Sequence, residues 1–515
     1  MPTISSFTKK FADAIVSVLG CHDRVIFKGY LPFFKDNQLN CLADYELRLR
    51  RKDFVPFLEE RSEELVEHAK NVAAQAQAPY QFLQGQHNKE QIVRAEIQKR
   101  QLKEGLVAVL CVMETCRGVK LRSGKDRPQL VFTSRPQRAV YFYYLDPEFG
   151  LMHVRVQTFF PYTVQVYVNG HDWLARQMQH KQLGFTQLDN AFTQLDHPEK
   201  AQRLADRFPQ LNWVKILDRF ARLVNPLLKQ KWLNRASYYW VIDQAEYSTD
   251  VLFRSRDDLR AIYQRLIDHS LLHFSADDVL RFLGRRLCPQ FDGEVLTLCR
   301  KQREPGTRVK HRMKGNWLKM YDKFGLILRV ETVINQPREF HVRRRRTRKG
   351  VAKMMWCPMN KGVSNFHRYL EVARASNQRY LDALSVVDAP PILARELDRL
   401  SQPVTDHGRQ RRGLNIMKTE EQRLFLAVLC GHNRVNGFRN RDVLLALYGT
   451  GRDPAERRRQ MQRTSRQLRL LRAHGLIKKV PRAHRYHVTD KGEVFMTAAV
   501  RIRAKEFPQE LPSAA

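Results

Sequence analysis

The sequence lacks the short motifs that identify several classes of protein. Its eight cysteines include no C-x-x-C pair, which argues against a zinc ribbon and against a disulfide framework. It contains no Walker loop and no dinucleotide fingerprint, so we expect no nucleotide cofactor. A His-hydrophobic-His metal motif is also missing. We therefore expect neither a zinc-ribbon protein nor a nucleotide-driven motor.

Long apolar runs are missing as well. A membrane-spanning helix needs roughly 20 consecutive apolar residues, and the longest smooth run, residues 105–113, is much shorter and fits a buried strand. The apolar stretch near the N-terminus is interrupted by Asp13 and is followed by no small-residue cleavage site, unlike a secretory signal. These absences favour a cytoplasmic protein that has no membrane partner.

Acidic residues are scarce relative to basic ones. The 515 residues include 90 Lys and Arg but 53 Asp and Glu, which gives a formal net charge of +37. Hydrophobic residues make up 43% of the chain, enough for two to four folded domains. So large a charge predicts a polyanionic partner, DNA or RNA. We expect association with the nucleoid, and a homodimer is one option that the sequence leaves open.

Two segments carry most of this charge. Residues 301–350 hold 16 Lys and Arg against four acidic residues, and residues 452–485 hold 12 against two. Dense clusters of one sign repel themselves unless a partner neutralises them, so both segments predict nucleic-acid binding. In the first segment the predicted contact residues are Lys310, Arg312, Lys319, Arg343, Arg344, Arg345 and Arg346. The arginine block predicts a phosphate clamp or an arm that folds on binding.

The spacing of apolar residues predicts an α+β protein. Residues up to about 120 have mainly the amphipathic spacing of helices, whereas the following residues alternate strands and helices, with antiparallel meanders. No internal repeat is visible in the sequence. The predicted organisation is a helical N-terminal region (1–120), an α+β basic body (121–350), a helical extension (351–400), a linker (401–416) and a C-terminal domain (417–515).

The C-terminal domain has the clearest pattern of elements. Its predicted elements are helices at 419–429, 440–448 and 455–473, strands at 476–480 and 485–488, and a closing helix. This order, together with residues 468–477, Tyr486 and Val488, resembles the winged helix-turn-helix domains of MarR-like regulators. The resemblance implies that the third helix enters the major groove of DNA and that the strand pair contacts the backbone.

The third helix of this domain also has the side chains that a groove reader needs. Met461, Thr464, Leu468 and Leu471 repeat at intervals of three and four, which predicts the buried stripe. The predicted nucleic-acid contacts on the other surfaces are Arg459, Arg463, Arg466, Lys478, Lys479, Arg482 and Arg485. Winged helices also dock proteins, but the excess of basic residues favours nucleic acid.

Four polar side chains of the body are predicted to converge. Strand alternation places Lys319 and Tyr321 on one face of their strand, and Arg329 and Glu331 on one face of the next. A hairpin turn at 322–325 would pair the two strands. An Arg-x-Glu strand is more often a cross-strand ion pair than a catalytic pair, and simple packing is the alternative role for Tyr321.

This pattern of a Tyr-x-Lys strand, a polar turn and an Arg-x-Glu strand resembles a short motif of plasmid rolling-circle replication initiators. The similarity covers about 25 residues and departs from the motif at Phe324 and Gly325, where an acidic residue would be expected. The resemblance implies that Glu331 binds a divalent metal, Mg²⁺ or Mn²⁺, and that a tyrosine attacks a DNA phosphodiester. Tyr321 is the nearest candidate nucleophile, followed by Tyr238 and Tyr239.

Further carboxylates lie close together in the sequence. Asp243, Glu246 and Asp250 fall within eight residues, a grouping that suits hard-metal chemistry, although helix capping and ion pairs explain it equally well. The predicted catalytic residues are Glu331, Tyr321, Asp250 and Glu246, with Glu331 and Asp250 as metal ligands. A transposase-like set of Asp146, Asp250 and Glu331 is a further option.

Two functions are consistent with these observations. The first is a DNA-binding protein of a mobile element or plasmid that nicks or transfers DNA strands with a metal ion, as an endonuclease, replication initiator or transposase does, while a winged helix selects the site. The alternative is a non-enzymatic RNA-binding protein or transcriptional regulator.

Overall fold

The structure is a computed structural model that covers most of the chain. The described residues are 5–85, 87–124, 127–233, 236–285, 291–301, 306–348, 351–385, 387, 394–406, 408–430, 433, 437–450, 453–481 and 483–506. These residues form one large mixed sheet with helices packed on it, several small sheets and a separate C-terminal core. The predicted α+β class is therefore confirmed.

The strands and helices have the following bounds. The strands are β1 (Ile15–Tyr30), β2 (Tyr80–Leu83), β3 (Gly105–Arg122), β4 (Gln129–Asp146), β5 (Gly150–Gln157), β6 (Val164–Asn169), β7 (Phe185–Leu188), β8 (Ala191–Leu195), β9 (Tyr239–Phe253), β10 (Val295–Lys301), β11 (Thr307–Met313), β12 (Asn316–Lys323), β13 (Ile327–Ile334), β14 (His341–Arg348), β15 (Val351–Pro358), β16 (Val404–Asp406), β17 (Arg409–Arg411), β18 (Ile477–Lys479) and β19 (Tyr486–Val488). The α-helices are α1 (Ser6–Lys10), α2 (Asp36–Cys41), α3 (Arg51–Gln75), α4 (Lys89–Arg100), α5 (Gly170–His180), α6 (Pro198–Ala205), α7 (Trp213–Val224), α8 (Arg256–Leu272), α9 (Ala276–Phe282), α10 (Phe366–Leu384), α11 (Ala394–Ser401), α12 (Thr419–Leu429), α13 (Asn440–Tyr448), α14 (Pro454–Ala473) and α15 (Asp490–Glu506). The chain also forms a π-helical turn (Leu42–Glu46) and short 3-10 turns (Phe208–Gln210, Pro226–Lys229, Pro337–Glu339, Val363–Asn365).

The large sheet has a symmetric strand order. It runs β10-β11-β12-β13-β9-β1-β6-β5-β4-β3-β2, and all its pairs are antiparallel except β2 with β3. The two central strands, β9 and β1, are each followed outward by a four-stranded meander, which we call the second half-sheet (β10–β13) and the first half-sheet (β3–β6). The topology thus contains a duplication that the sequence does not reveal as a repeat.

Four helices cover one side of the sheet. Helices α3 and α7 pack on the first half-sheet, α6 packs on β1, and α10 packs on β9 and β13. Helix α4 packs on the opposite side of β3. Phe27 of β1 is fully buried and lies 4.6 Å, between ring centroids, from Trp213 of α7. Burial of one such ring contributes roughly 1.5–3 kcal/mol. Because Val25 and Phe27 point to the helices, alternation directs Arg24 to the opposite side, which we call the polar face.

The polar face is identified independently in the second half-sheet. Thr249 of β9 and Thr332 of β13 hydrogen-bond to Asn377 of α10, at 3.1 and 2.6 Å. The alternating residues of these strands, including Glu246 and Glu331, therefore lie on the polar face.

Several boundaries differ from those predicted. The N-terminal region contains the long strands β1 and β3 in addition to helices, and the boundary predicted at residue 120 falls inside β3. Strand β9 is continuous through its polar middle, residues 245–248, which lies between β1 and β13. Strand β14 lies outside the large sheet and pairs with β15.

The C-terminal elements lie close to their predicted positions. Helices α12 to α14, the strand pair β18–β19 and helix α15 follow in the predicted order and share a core of their own. Thr464, Leu468 and Leu471 of α14 are buried as predicted, but Met461 is 48% exposed, because the buried stripe begins one turn later. That these elements form a winged helix stays a prediction.

Within the described part of the chain, no helix is both long enough and apolar enough to cross a bilayer.

Candidate metal centre and nucleic-acid face

A β-bulge at the middle of the large sheet creates the candidate site. Two residues of β1, Asp23 and Arg24, lie opposite one residue of β9, Glu246. Bulges redirect side chains and are common next to active sites. Here the bulge buries the Asp23 side chain while its neighbour Arg24 stays exposed.

Three buried carboxylates meet at the bulge. One oxygen each of Asp23, Glu246 and Glu331 lies within 4.8 Å of the others. Among the residues that the structure describes, this is the one group of three ligand-type side chains so close together. Two negative charges at this distance repel by about 3 kcal/mol at an effective dielectric constant of about 20. We call these residues the acid triad.

Two side chains of β12 contact the triad directly. The Lys319 Nζ atom lies 2.5 Å from Glu331 Oε1 and 3.6 Å from Glu246 Oε2. The Tyr321 hydroxyl donates a hydrogen bond of 2.6 Å to the other oxygen of Glu331. The register of β12 with β13, in which Lys319 lies directly opposite Glu331, produces both contacts. The convergence predicted for Lys319, Tyr321 and Glu331 is therefore present.

The triad contains carboxyl groups of opposite protonation tendency. Burial and the nearby charge of Glu331 raise the pKa of Glu246 to about 8. Burial also opposes ionisation of Glu331, but the adjacent Lys319 ammonium outweighs it and lowers the pKa of Glu331. Conversely, the two glutamates raise the pKa of Lys319 against the effect of burial. Near neutral pH the site therefore holds a protonated Glu246 beside an ionised Glu331.

Asp250 lies beside the triad but is not a member of it. Both of its oxygens accept hydrogen bonds of 2.6 Å from Arg329, which lies directly opposite on β13 and is fully buried. Burial opposes ionisation of Asp250, yet the charge of Arg329 outweighs it and lowers the pKa of the carboxyl. The predicted metal ligand Asp250 is thus engaged in a bidentate ion pair, and the cross-strand ion-pair interpretation applies to Arg329.

Asp23 is held in place by a ring of polar groups. His171 Nδ1 lies 3.5 Å from its carboxylate, and the amides of Asn169 and Asn190 donate to it at 3.2 and 2.8 Å. Burial opposes ionisation of Asp23, but hydrogen bonding to His171 and the charge of Arg329 lower its pKa. The carboxylates of Asp23 and Asp250 in turn raise the pKa of His171, against the effects of burial and of the Arg329 charge. The ring keeps Asp23 ionised and fixed in orientation.

The other tyrosines considered as nucleophiles do not contact the triad. The buried Tyr238 hydroxyl donates to the carbonyl of Tyr162 at 2.7 Å, and Tyr239 is 57% exposed at the start of β9. Asp146, of the transposase-like set, accepts backbone hydrogen bonds in the turn between β4 and β5. Asp243 lies 3.5 Å from Lys361. Of the tyrosines that the sequence suggested, Tyr321 is the one beside Glu331.

A row of cations adjoins the triad on the polar face. Strand register places Arg308, Lys310 and Arg312 of β11 opposite Tyr321, Lys319 and Trp317 of β12. Directly opposite residues share a face, so these cations lie beside the site. Lys310 lies 3.5 Å from the centroid of the Trp317 ring, and burial and the nearby Lys319 lower its pKa. This row offers charge for phosphates and a ring for stacking.

Two cavities open on either side of the Asp189–Asn190 turn. One, of about 690 Å³, is lined by Tyr321 and by the cations of Arg256, Arg308, Lys319 and Lys323. The other, of about 470 Å³, is lined by Asp23 and Arg24 and by aromatic rings of the first half-sheet, those of Tyr143, His153 and Tyr167. The triad thus lies between a cavity lined largely by cations and a cavity in which three rings stand beside acidic and basic side chains.

The predicted nucleic-acid contacts outside the large sheet are mostly at the surface. Exposed side chains are those of Arg343, Arg345, Arg459, Arg463, Arg466, Lys478 and Lys479, while those of Arg344 and Arg485 are half-buried. Arg463 forms an exposed ion pair with Glu420 at 2.5 Å. Arg346 lies in β14, but its side chain is not among the described ones, and Arg482 lies outside the described residues.

Sequence reasoning missed Asp23, His171 and Asn190. Asp23 lies more than 200 residues from the other triad members, and no local pattern links it to them. The available signal was an Asp-Arg pair that interrupts an apolar strand pattern between Val18 and Phe27, since charges inside a buried strand need a partner.

The chain was compared with protein-family models, with curated proteins and with solved structures. None of the three comparisons finds a match.

Proposed function

We propose that this protein binds DNA and cuts one of its strands at the acid triad, in a metal-dependent reaction of the kind that replication initiators and transposases perform. The observation that carries the proposal is the juxtaposition of three buried carboxylates, a tyrosine bonded to one of them and a row of cations on one face. Carboxylates alone would also suit other hydrolases. The neighbouring cations favour a phosphodiester substrate.

Asp23, Glu246 and Glu331 would hold the metal ion. A set of carboxylate oxygens suits Mg²⁺ or Mn²⁺ rather than a thiophilic metal. The fit is supported by the raised pKa of Glu246, which reflects burial first and the neighbouring charge of Glu331 second, and a bound cation would offset both. Lys319 already supplies one positive charge between the two glutamates. A bound ion would neutralise charge on the phosphate under attack.

Tyr321 would act as the nucleophile. Burial and the neighbouring Glu331 raise the pKa of its hydroxyl, so the hydroxyl is protonated before the reaction. The hydroxyl already donates to Glu331, which can take the proton while the phenol oxygen forms a bond to phosphorus. The bond from phosphorus to the departing strand breaks in the same step, and that strand leaves as an alcohol after taking up a proton. The product is a covalent tyrosyl phosphodiester.

The cationic cavity would receive the phosphates beside the cut. It has the volume for nucleotide-sized groups, and Tyr321 forms part of its lining. Arg256 and Arg308 carry the charges that phosphate oxygens bind. Lys323 is engaged with Asp189 and Asn190, so it would hold the turn rather than the substrate.

We further propose that the C-terminal elements form a winged helix that selects the DNA site. The order of elements supports this, as does the backbone bridge between Phe438 and Tyr486, which extends the β18–β19 pair. Exposed arginines on α14 would read base edges. Exposed ion pairs are weak, so phosphate or guanine can replace Glu420 as the partner of Arg463. Arg463→Ala should weaken specific binding by about 1–3 kcal/mol.

A nicking assay tests the catalytic proposal. The full-length protein is incubated with supercoiled DNA that contains the sequences flanking its own gene, with Mg²⁺ or Mn²⁺, and open-circular DNA and covalent adducts are measured. Glu331→Gln should abolish both products. Glu114→Gln is the matched control, since Glu114 is a carboxylate of the first half-sheet that is paired with Arg155.

Two outcomes would contradict the proposal. Cleavage that survives Glu331→Gln would place the reaction elsewhere. Tight, salt-sensitive binding with no cleavage of any DNA or RNA would favour the alternative, a non-enzymatic RNA-binding protein or transcriptional regulator.

A further inference from the structure

The β14–β15 ribbon carries a second feature that the cutting site does not use. Its strands pair only with each other, and at their base Met359 N donates to Phe340 O at 2.9 Å. The base is buried through Val342 and Cys357, whereas the residues beyond it are largely exposed. A two-stranded ribbon is marginally stable in water on its own. Such a ribbon is suited to act by contact with a partner.

One face of the ribbon combines arginines with large apolar side chains. Arg343 lies directly opposite Trp356, and Arg345 directly opposite Met354, so the four side chains share a face. Trp356 is 67% exposed and Met354 54% exposed, and both arginines are exposed as well. Residues 341–358 include seven Lys and Arg and no acidic residue. The exposed tryptophan therefore lies opposite an exposed arginine, on a ribbon whose sequence contains no acidic residue.

We infer that this ribbon grips duplex DNA and wedges Trp356 into the base stack, with Arg343 and Arg345 on the flanking phosphates. The surrounding charge selects a polyanion, and the ring needs a flat apolar surface to cover it. In DNA, negatively charged phosphates lie close to the flat apolar faces of the bases. Two-stranded ribbons also fit the grooves of DNA. Apolar side chains inserted between base steps partly unstack and bend the duplex. Such distortion would loosen the duplex that is to be cut.

This inference rests on nucleic acid as the partner but not on cleavage. Its test is therefore done without metal, in a chelator, so that a failure of the nicking assay leaves it untouched. The probe is a set of 30-base-pair duplexes with 2-aminopurine at successive positions, whose fluorescence rises when a base unstacks. The full-length protein should raise the fluorescence at one or two neighbouring positions of the bound duplex.

Two variants separate the wedge from the phosphate contacts. Trp356→Ala should remove most of the fluorescence rise and weaken binding by about tenfold, the loss of one stacked base. The double variant Arg343→Ala, Arg345→Ala should weaken binding further at low salt and reduce the slope of log affinity against log salt by about 2. Tyr45→Ala, which removes a 75% exposed ring elsewhere, is the matched control and should change neither.

Three results would overturn the inference. The first is a duplex that stays stacked at every probe position when the wild-type protein is bound. The second is an unstacking signal that Trp356→Ala leaves unchanged. The third is loss of binding to anionic vesicles, rather than to DNA, in the Trp356→Ala variant, since a lipid surface also accepts tryptophan beside cations. Equal melting temperatures of wild type and variants exclude unfolding as the cause.

Discussion

The two half-sheets share one strand order but carry different chemistry on the polar face. The second half-sheet presents charged groups next to the central strands, among them Glu331, Lys319 and Arg329. The first half-sheet presents rings there, with His153 stacked on Tyr167 at 5.0 Å between centroids. The same strand order thus presents acidic and basic groups on one side of the sheet centre and stacked rings on the other.

The boundary between the halves is where the acid triad lies. Asp23 and Glu246 come from the two central strands, β1 and β9, and Glu331 comes from the second half-sheet. Neither half could complete the triad alone. The contrast can be tested by replacing the same residue type, such as a tyrosine or an arginine, in each of the two half-sheets.

The largest difference is expected for the tyrosines. Tyr321→Phe removes the proposed nucleophile and should reduce nicking and covalent adduct by about a thousandfold or more. Tyr167→Phe removes a hydroxyl from the first half-sheet and should leave the adduct in place. The measured quantities are the rate of cleavage in a single turnover and the amount of trapped covalent protein–DNA adduct. An adduct that persists in Tyr321→Phe would move the nucleophile to another residue.

The next largest difference is expected in stability, when the two buried arginines are replaced. Arg329→Met removes the bidentate partner of the buried Asp250, leaves it only His171 at 3.8 Å, and should lower the free energy of unfolding by about 3–5 kcal/mol. Arg155→Met should cost about 1–2 kcal/mol, because its partner Glu114 keeps 29% of its exposure and can be solvated. Urea denaturation measures both.

A double variant checks the cause of the Arg329 effect. Arg329→Met combined with Asp250→Leu should recover part of the lost stability, since no charge is then left unpaired. If the double variant is less stable than Arg329→Met alone, packing rather than charge is responsible.

Metal binding should stabilise the protein through the triad. At a Mn²⁺ concentration of about 100 times the dissociation constant, the free energy of unfolding should rise by about 2.7 kcal/mol. Asp23→Asn should abolish this rise, and Glu114→Gln in the first half-sheet should keep it.

Lys319→Met should bind Mn²⁺ more tightly than the wild type, because the ammonium no longer competes for Glu331 and Glu246. Thermal melting with and without Mn²⁺ gives the comparison.

The charged half of the site was more predictable from sequence than the aromatic half. Lys319, Tyr321 and Glu331 follow from strand alternation across one short hairpin, where a single turn determines the register. Asp23 could not be found in this way, because β1 is placed between β6 and β9 by pairing with residues 135 to 238 positions away. The bulge that directs Asp23 into the site is a property of that pairing.

Asp250 shows a second limit of the sequence. Its position in a group of three nearby acids suggested a metal ligand. The register of β9 with β13 instead determines which side chain pairs with it. Arg329 lies directly across from it, and two buried, opposite charges at that distance pair. The duplicated strand order was equally hidden, since the two half-sheets share topology without a visible repeat in sequence.

The smallest expected difference concerns a buried histidine of the aromatic half. Burial, with Lys89 and Arg155 nearby, lowers the pKa of His153 to about 3. In the unfolded chain it takes up a proton below about pH 6.5. The unfolded state therefore binds more protons, and stability falls as the pH drops from 6.5 towards 3, by about 2 kcal/mol at pH 5.

His153→Phe should remove this share of the acid sensitivity while it keeps a ring stacked on Tyr167. The pKa of Glu246, raised to about 8, acts in the opposite direction, because its contribution to stability is present below about pH 4.5 and is lost as the pH rises through 8. That term is common to the wild type and the variant, so it cancels when the unfolding free energies of the two are subtracted at each pH. The exposed His180 provides the control, and His180→Phe should leave the pH profile unchanged. A profile that His153→Phe also leaves unchanged would mean that the His153 ring takes up protons in the folded state, and the contrast between the buried rings of the first half-sheet and the charged groups of the second would fail.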